Sequence, residues 1–256
     1  MDPGHIIFGK EQFFCILLFF ICGSVFGSFF NCMAMRIVSE KDWIFSRSRC
    51  DHCSHELRSP DLIPVFSYIL LRGHCRYCGE RISVRHFLSE VFLGVVFVLV
   101  YLHYKRIEPG IFFDLSLFCV LFGLSLTDLD SYTIPDPFVL SGLINRFVKF
   151  FFVKEDIFVY LLSAFAITLM VYMAAVLMNK LTGRENFGGG DIKLLFMVSL
   201  YTSCFKGILI LFISCLFGLL TAMVMKKRKI PFGPCICMGT FIVLMYGDQI
   251  SKLLLI

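Results

Sequence analysis

An all-α polytopic membrane protein of about eight transmembrane helices, with one small four-cysteine insertion after the first helix, is the fold that this sequence predicts. Three observations carry it. Of 256 residues, 58% are hydrophobic and only 17% charged, where soluble domains carry about 25% charged. Apolar runs approaching the roughly 20 residues that span a bilayer recur along the chain. They lie near 12–35, 87–104, 111–127, 137–153, 157–178, 207–225 and 232–254, with a shorter one at 192–204. One stretch, 36–86, departs from this pattern and holds the only Trp, nine Lys and Arg, and two Cys-x-x-Cys pairs. The predicted division is therefore 1–35, an N-terminal segment and first span; 36–86, a polar insertion; and 87–256, a helical membrane domain.

The first run is read as a retained helix rather than a cleaved signal. Met1 to Gln12 mixes acidic and basic residues, and the apolar run that follows exceeds an h-region in length. Within Leu17 to Met35, Gly23 and Gly27 form a Gly-xxx-Gly pair with Asn31 one turn further on. That pattern predicts close helix packing with an interhelical hydrogen bond, not catalysis.

In the insertion, Cys50-Asp51-His52-Cys53 and Cys75-Arg76-Tyr77-Cys78 are separated by 21 residues, close to the spacing of structural zinc sites. Four thiolates suit a tetrahedral Zn²⁺. Two disulfides, a redox pair and an iron–sulfur site compete. A cytoplasmic loop keeps its thiols reduced, and a redox Cys-x-x-Cys needs one pair in a thioredoxin-like βαβ setting that is absent. About 50 residues build little core, so a structural metal explains the insertion's stability. His52, His55 and His74 are read as non-ligands, and the other eight cysteines as small hydrophobes.

The run from Ile111 ends in Leu126-Thr127-Asp128-Leu129-Asp130. An ionisable group at membrane depth marks a functional site by default. Asp130, two residues on, points elsewhere if the helix continues. Asp136, before Pro137 and the next run, reads as a helix cap. After the 157–178 run, Gly188-Gly189-Gly190-Asp191 introduces the shorter run. Glycines there allow unusual backbone and close approach to a substrate. Lys193 is placed to pair with a carboxylate or to snorkel.

Lys and Arg distribution orients the chain. With 36–86 inside, sixteen of the 24 basic residues lie on that face, including Lys226-Lys227-Arg228-Lys229; without the long insertion the tally is seven against eight. Net charge of +5 reflects this asymmetry and calls for anionic lipid, not nucleic acid. With eight spans, Asp128 ends an inward run and Asp191 begins an outward one, so both share the face of the cysteine insertion. Two such carboxyls can hold one proton between them: one activates water while the other hydrogen-bonds the scissile carbonyl. No Ser-His-Asp or HExxH pattern competes. A proton- or cation-coupled transporter would use the same acids but calls for inverted repeats, and none is visible. A zinc-bearing scaffold predicts that both acids are dispensable.

These residues resemble the bacterial type IV prepilin peptidases (prepilin leader peptidase/N-methyltransferase), intramembrane aspartic peptidases of the Gly-x-Gly-Asp type. The resemblance runs through Gly27-Ser28-Phe29-Phe30-Asn31 with Arg36, Ser48-Arg49-Cys50-x-x-Cys53, Ile63-Pro64-Val65, and Leu70-Leu71-Arg72-Gly73-His74-Cys75-x-x-Cys78-Gly79. It continues in Ile82-Ser83, Glu90, Asp128-Leu129-Asp130 with Ile134-Pro135-Asp136, and Thr182-Gly183-Arg184-Glu185. Gly188-x-Gly190-Asp191-x-Lys193 and Pro231-Phe232-Gly233-Pro234 complete it. Presenilin-like proteases share Gly-x-Gly-Asp but carry a late Pro-Ala-Leu motif, absent here, and lack the insertion. The resemblance implies an inner-membrane enzyme that cuts the leader from prepilin or pseudopilin helices at the cytoplasmic face. It further implies methylation of the new N-terminal residue with S-adenosyl-L-methionine. It assigns catalysis to Asp128 and Asp191, zinc to Cys50, Cys53, Cys75 and Cys78, and methyl transfer to the region of Arg72, Gly73 and His74. Supporting places fall to Gly188, Gly190, Lys193 and Asp130. Ile37-Val38 replaces a common Leu-Pro, and Cys32, Met33 and Met35 replace aliphatic residues. No glycine-rich Rossmann-type motif is visible, which leaves a peptidase without methyltransferase activity as an alternative. Oligomeric state is unassigned.

Overall fold

The structure, a computed structural model, describes residues 10–40, 47–153, 155–183, 188–225 and 230–254. The basic cluster at 226–229, the Trp and the Arg184-Glu185 pair lie outside the described residues. Helices α1 (Lys10–Val38), α2 (Phe66–Leu70), α3 (Val84–Tyr104), α4 (Pro109–Ser131), α5 (Asp136–Phe152), α6 (Ile157–Thr182), α7 (Gly189–Ser199), α8 (Cys204–Met225) and α9 (Gly233–Leu254) follow one another, with a 3-10 turn at Ser59–Leu62. Among the described residues there is no strand, only two isolated bridges. Each apolar run is met by one helix. Five of them (α1, α3, α4, α6 and α8) are long and apolar enough to cross a membrane. The 11 residues of α7 rise about 16 Å, roughly half of a 30 Å hydrocarbon core.

The chain divides into two compact units, Met1–Ile107 and Glu108–Ile256. In the first, α1 packs backbone to backbone on α3. A Cβ on Gly23 would sit 2.6 Å from Leu93 O and 2.8 Å from Gly94 Cα, and one on Gly27 would sit 2.6 Å from Ser89 O. The Gly-xxx-Gly reading is borne out. So is the interhelical bond: fully buried Asn31 lies 3.0 Å from His86 Nδ1 and accepts from Arg85 Nε at 3.0 Å.

The second unit has a buried middle and an exposed rim. In α4, 67% of the apolar window is buried, against 17% in α6 and in α8. Short α7 belongs to the middle, with Leu194, Leu195, Met197 and Val198 fully buried. Gly142 of α5 leaves room for Met197, which a Cβ there would overlap. Polar groups close the end of the unit where α4 begins and α5 finishes. Lys149 Nζ donates to Asp114 Oδ1 at 2.7 Å. Arg146, 1% exposed, lies over the Phe150 and Tyr160 rings at 4.2 and 4.4 Å. Its ion pair with Glu155 at 2.7 Å falls short of hydrogen-bond geometry.

Candidate active site and metal centre

Asp128 sits in the last turns of α4, 5% exposed. The helix runs to Ser131 and closes on Tyr132, whose left-handed φ of 55° lets its N–H bond Asp128 O at 2.9 Å. Asp130 is thus still helical and exposed, turned away from Asp128. Asp128 Oδ2 accepts a 2.8 Å hydrogen bond from the backbone N–H of Gly233, the first residue of α9. The first N–H groups of a helix have no partner inside it and favour an anion. Glycine is required at this contact, because a Cβ would lie 2.7 Å from the same carboxylate oxygen.

Asp191 is the third residue of α7, half-buried, with its N–H 3.2 Å from Gly188 O. Gly188 and Gly190 act by lacking side chains and not by unusual backbone, while Gly189 faces open space. Gly188 has an ordinary φ of −73°. A Cβ on it would press to 3.3 Å from Asp191 Oδ2, and one on Gly190 to 3.2 Å from Ile134 Cβ. The Asp128 charge acts directly on Asp191. The ends of α4, α7 and α9 thus bring two carboxylates together, and no cation pairs with either among the described residues. Lys193 pairs with Asp136 at 2.8 Å, both largely exposed. Asp136 is not a cap: Pro135 holds that position without a side-chain bond, and α5 begins with Asp136.

In the first unit, each Cys-x-x-Cys occupies a tight turn closed by an isolated antiparallel bridge, Arg49 with Glu56 and His74 with Arg81. The turns match bond for bond. Cys50 N donates to His55 O and Cys75 N to Glu80 O, while Ser54 N and Gly79 N return to Cys50 O and Cys75 O. Ser54 and Gly79 share a left-handed φ, 57° and 72°. The four sulfurs lie within 4.8 Å of one another, with Cys50 and Cys78 at 3.9 Å. Zn–S bonds of about 2.3 Å imply a tetrahedral edge of about 3.8 Å, so the donor set fits Zn²⁺. Backbone N–H groups of Cys78 and Tyr77 pull Cys75 down to about 7. The Glu80 N–H also pulls on Cys78, but desolvation and the neighbouring sulfurs push it up to about 12. A dication bound by these four sulfurs would share the charge that crowds the last thiol.

No histidine joins this cluster among the described residues. His55 packs on Tyr77 at 3.7 Å, and His74 Nδ1–H donates to Arg72 O at 2.7 Å. Asp61 gathers the second turn, accepting from Arg76 Nε at 2.7 Å, Tyr77 OH at 3.0 Å and Arg58 N at 3.2 Å. Burial raises its pKa, yet these donors outweigh that and leave it below the usual carboxylate value. Arg72 and Gly73 are both left-handed, at φ 52° and 72°. Gly73 backs onto Tyr68, where a Cβ would meet its hydroxyl at 3.0 Å.

Sequence reasoning assigned no role to Gly233, although its setting between prolines at the head of an apolar run was a legible signal. It also missed Asp61 and the bond from Val65 N–H to Glu90 Oε2 at 2.7 Å.

Comparison with known proteins matches residues 21–104 to the bacterial peptidase A24 N-terminal domain and residues 115–223 to the type IV leader peptidase family. A prepilin leader peptidase/N-methyltransferase of Dichelobacter nodosus is 30% identical over 214 residues, 80% of this chain and 73% of the relative. Those of Pseudomonas putida (29%; 94% of this chain and 93% of the relative) and Neisseria gonorrhoeae (28%; 93% of each) match along almost the whole length. No solved structure matches. Two family matches in tandem, and relatives aligned across both units, establish that this chain belongs to the type IV leader peptidase family.

Proposed function

We propose that the chain is a bifunctional membrane enzyme that removes the leader from prepilin or pseudopilin helices and N-methylates the newly exposed residue. Asp128 and Asp191 are its catalytic acids. One observation carries this reading: the charge of Asp128 on α4 reaches Asp191 at the head of α7, while no cation neutralises either carboxylate among the described residues. In the ionised member of the pair, a carboxylate oxygen takes a proton from water as that water attacks the scissile carbonyl. The protonated member donates its hydrogen to the carbonyl oxygen as charge develops there, and the leaving amine then takes a proton from the pair. Gly233 holds Asp128 through its N–H, Gly188 and Gly190 leave room at the head of α7, and Lys193 ties α7 to Asp136 of α5.

Residues 87–256 carry the peptidase, and 36–86 carry the zinc site and the methyl-transfer function, with S-adenosyl-L-methionine as methyl donor. Zn²⁺ on Cys50, Cys53, Cys75 and Cys78 is structural. The insertion and both acids face the cytoplasm of a bacterial inner membrane, in keeping with the nine basic residues of 36–86.

Incubation of the purified protein with a prepilin and S-adenosyl-L-methionine, followed by mass measurement, tests both activities. The expected product lacks its leader and carries one added methyl. Leader loss without methyl gain leaves a peptidase alone, and an intact substrate overturns the proposal. Stripping zinc with a chelator should lower methyl gain before it lowers leader loss.

A further inference from the structure

The first unit holds an open-sided cleft of about 910 Å³ between the insertion and the facing ends of α1 and α3. Such a volume sits at the upper end of small-molecule sites. Ser28, Arg36, Tyr68, His86, Phe87 and Glu90 line it, and the cysteine turns form part of its wall.

Three of its features are built rather than incidental. Glu90 is a carboxylate only 8% exposed, and its one hydrogen bond among the described residues comes from Val65 N–H at 2.7 Å. Val65 holds a φ of 64°, which a β-branched residue rarely adopts; such strain persists where the surroundings enforce it and gathers at functional sites. His86 has a fixed tautomer. Arg85 Nε can only donate, so the Asn31 oxygen faces it and the Asn31 amide N–H₂ faces His86 Nδ1. His86 Nδ1 therefore accepts, and its Nε2 carries a hydrogen. Tyr68 and Phe87 stack at 5.0 Å to form an aromatic wall.

We infer that this cleft binds S-adenosyl-L-methionine, with Glu90 set against its positive charge and Arg36 and His86 Nε2–H serving its carboxylate. The inference rests on the methyltransferase reading above and locates it. The donor carries a sulfonium, an α-amino acid end and a purine. One cleft supplies a buried anion, cationic and neutral donors, and an aromatic face that suits both a cation and a flat base. Arg72, Gly73 and His74 do not line it. Gly73 acts on it indirectly, by supporting Tyr68.

Equilibrium dialysis of the full-length, zinc-loaded protein with radiolabelled S-adenosyl-L-methionine tests this, alongside prepilin cleavage. Glu90→Gln keeps an acceptor for Val65 N–H and removes the charge. It should weaken donor binding by about tenfold or more and leave cleavage at the wild-type rate. Unchanged donor binding in Glu90→Gln overturns the inference while the methyltransferase reading stands. Wild-type protein that cleaves prepilin but binds no labelled donor ends both. If Glu90→Gln also loses cleavage through misfolding, ultraviolet cross-linking of the labelled donor to wild-type protein decides. An adduct on residues lining the cleft supports the site, and an adduct elsewhere overturns it.

Discussion

Asp114 and Asp128 stand on the same helix, α4, fourteen residues apart, and each is 5% exposed. By burial and by chemistry they are the same residue. They differ in what they meet. Asp114 accepts from Lys149 at 2.7 Å across to α5, an arrangement that locks two helices together. Asp128, about 21 Å further along the axis, meets one backbone N–H and the charge of a second carboxylate. An acid in an apolar helix is costly wherever it lies. Neutralising it with a cation stabilises the fold and ends its reactivity, while facing it with another acid leaves a proton to exchange.

The largest effect should come from the acids themselves. Asp128→Asn or Asp191→Asn should lower leader cleavage by about 10³-fold or more, with protein abundance near wild type. Processing at the normal rate by either variant would break the distinction drawn here. Gly233→Ala comes next. Its methyl would crowd the Asp128 oxygen at 2.7 Å, and displacement of a reacting group by about 1 Å costs about 10²-fold. A kcat reduced at unchanged thermal stability is the expected signature.

Asp114→Asn should show the reverse pattern. It strands a buried Lys149 and should cost about 3–5 kcal/mol of stability, while replacing both partners with apolar residues recovers most of that loss. Denaturation curves beside cleavage rates per folded molecule check this. Lost catalysis at full stability would make Asp114 part of the active site and dissolve the contrast. Asp136→Asn gives the smallest effect. Its 2.8 Å pair with Lys193 is within 0.1 Å of the buried pair at 2.7 Å, but its side chains are 75% and 56% exposed. Solvent should hold the cost under about 1 kcal/mol, with cleavage retained.

The helices were legible because composition and run length decide them, and each apolar run met a helix. The cysteine turns were legible because two Cys-x-x-Cys pairs that bring four sulfurs together constrain spacing along the chain. Asp128 and Asp191 stood out as acids beside polar breaks. Asp114 was equally visible inside the 111–127 run, and so were Arg146 and Lys149 near the end of the next one. Their pairing was not read, because it depends on α4 and α5 folding back antiparallel about the corner at Tyr132–Pro135. The glycines before Asp191 suggest backbone freedom and close approach, whereas in the fold a Cβ on Gly188 or Gly190 would crowd Asp191 or Ile134 and one on Gly189 would meet open space. Gly233 escaped for a related reason: its role is to be small next to a residue over a hundred positions away, and only the fold brings the two together.

The tight seam between α1 and α3 has a further consequence for the polar insertion. Asn31, two turns before the end of α1, is pinned to Arg85 and His86 at the start of α3, so the helices on either side of the insertion are held together close to its stems. An excursion whose stems are already held together adds little closure entropy as it lengthens, about 0.6 kcal/mol per doubling. The helix pair is therefore a socket. Inserts of different length, or a short linker in place of residues 40–82, should seat in it without disturbing the helices beneath.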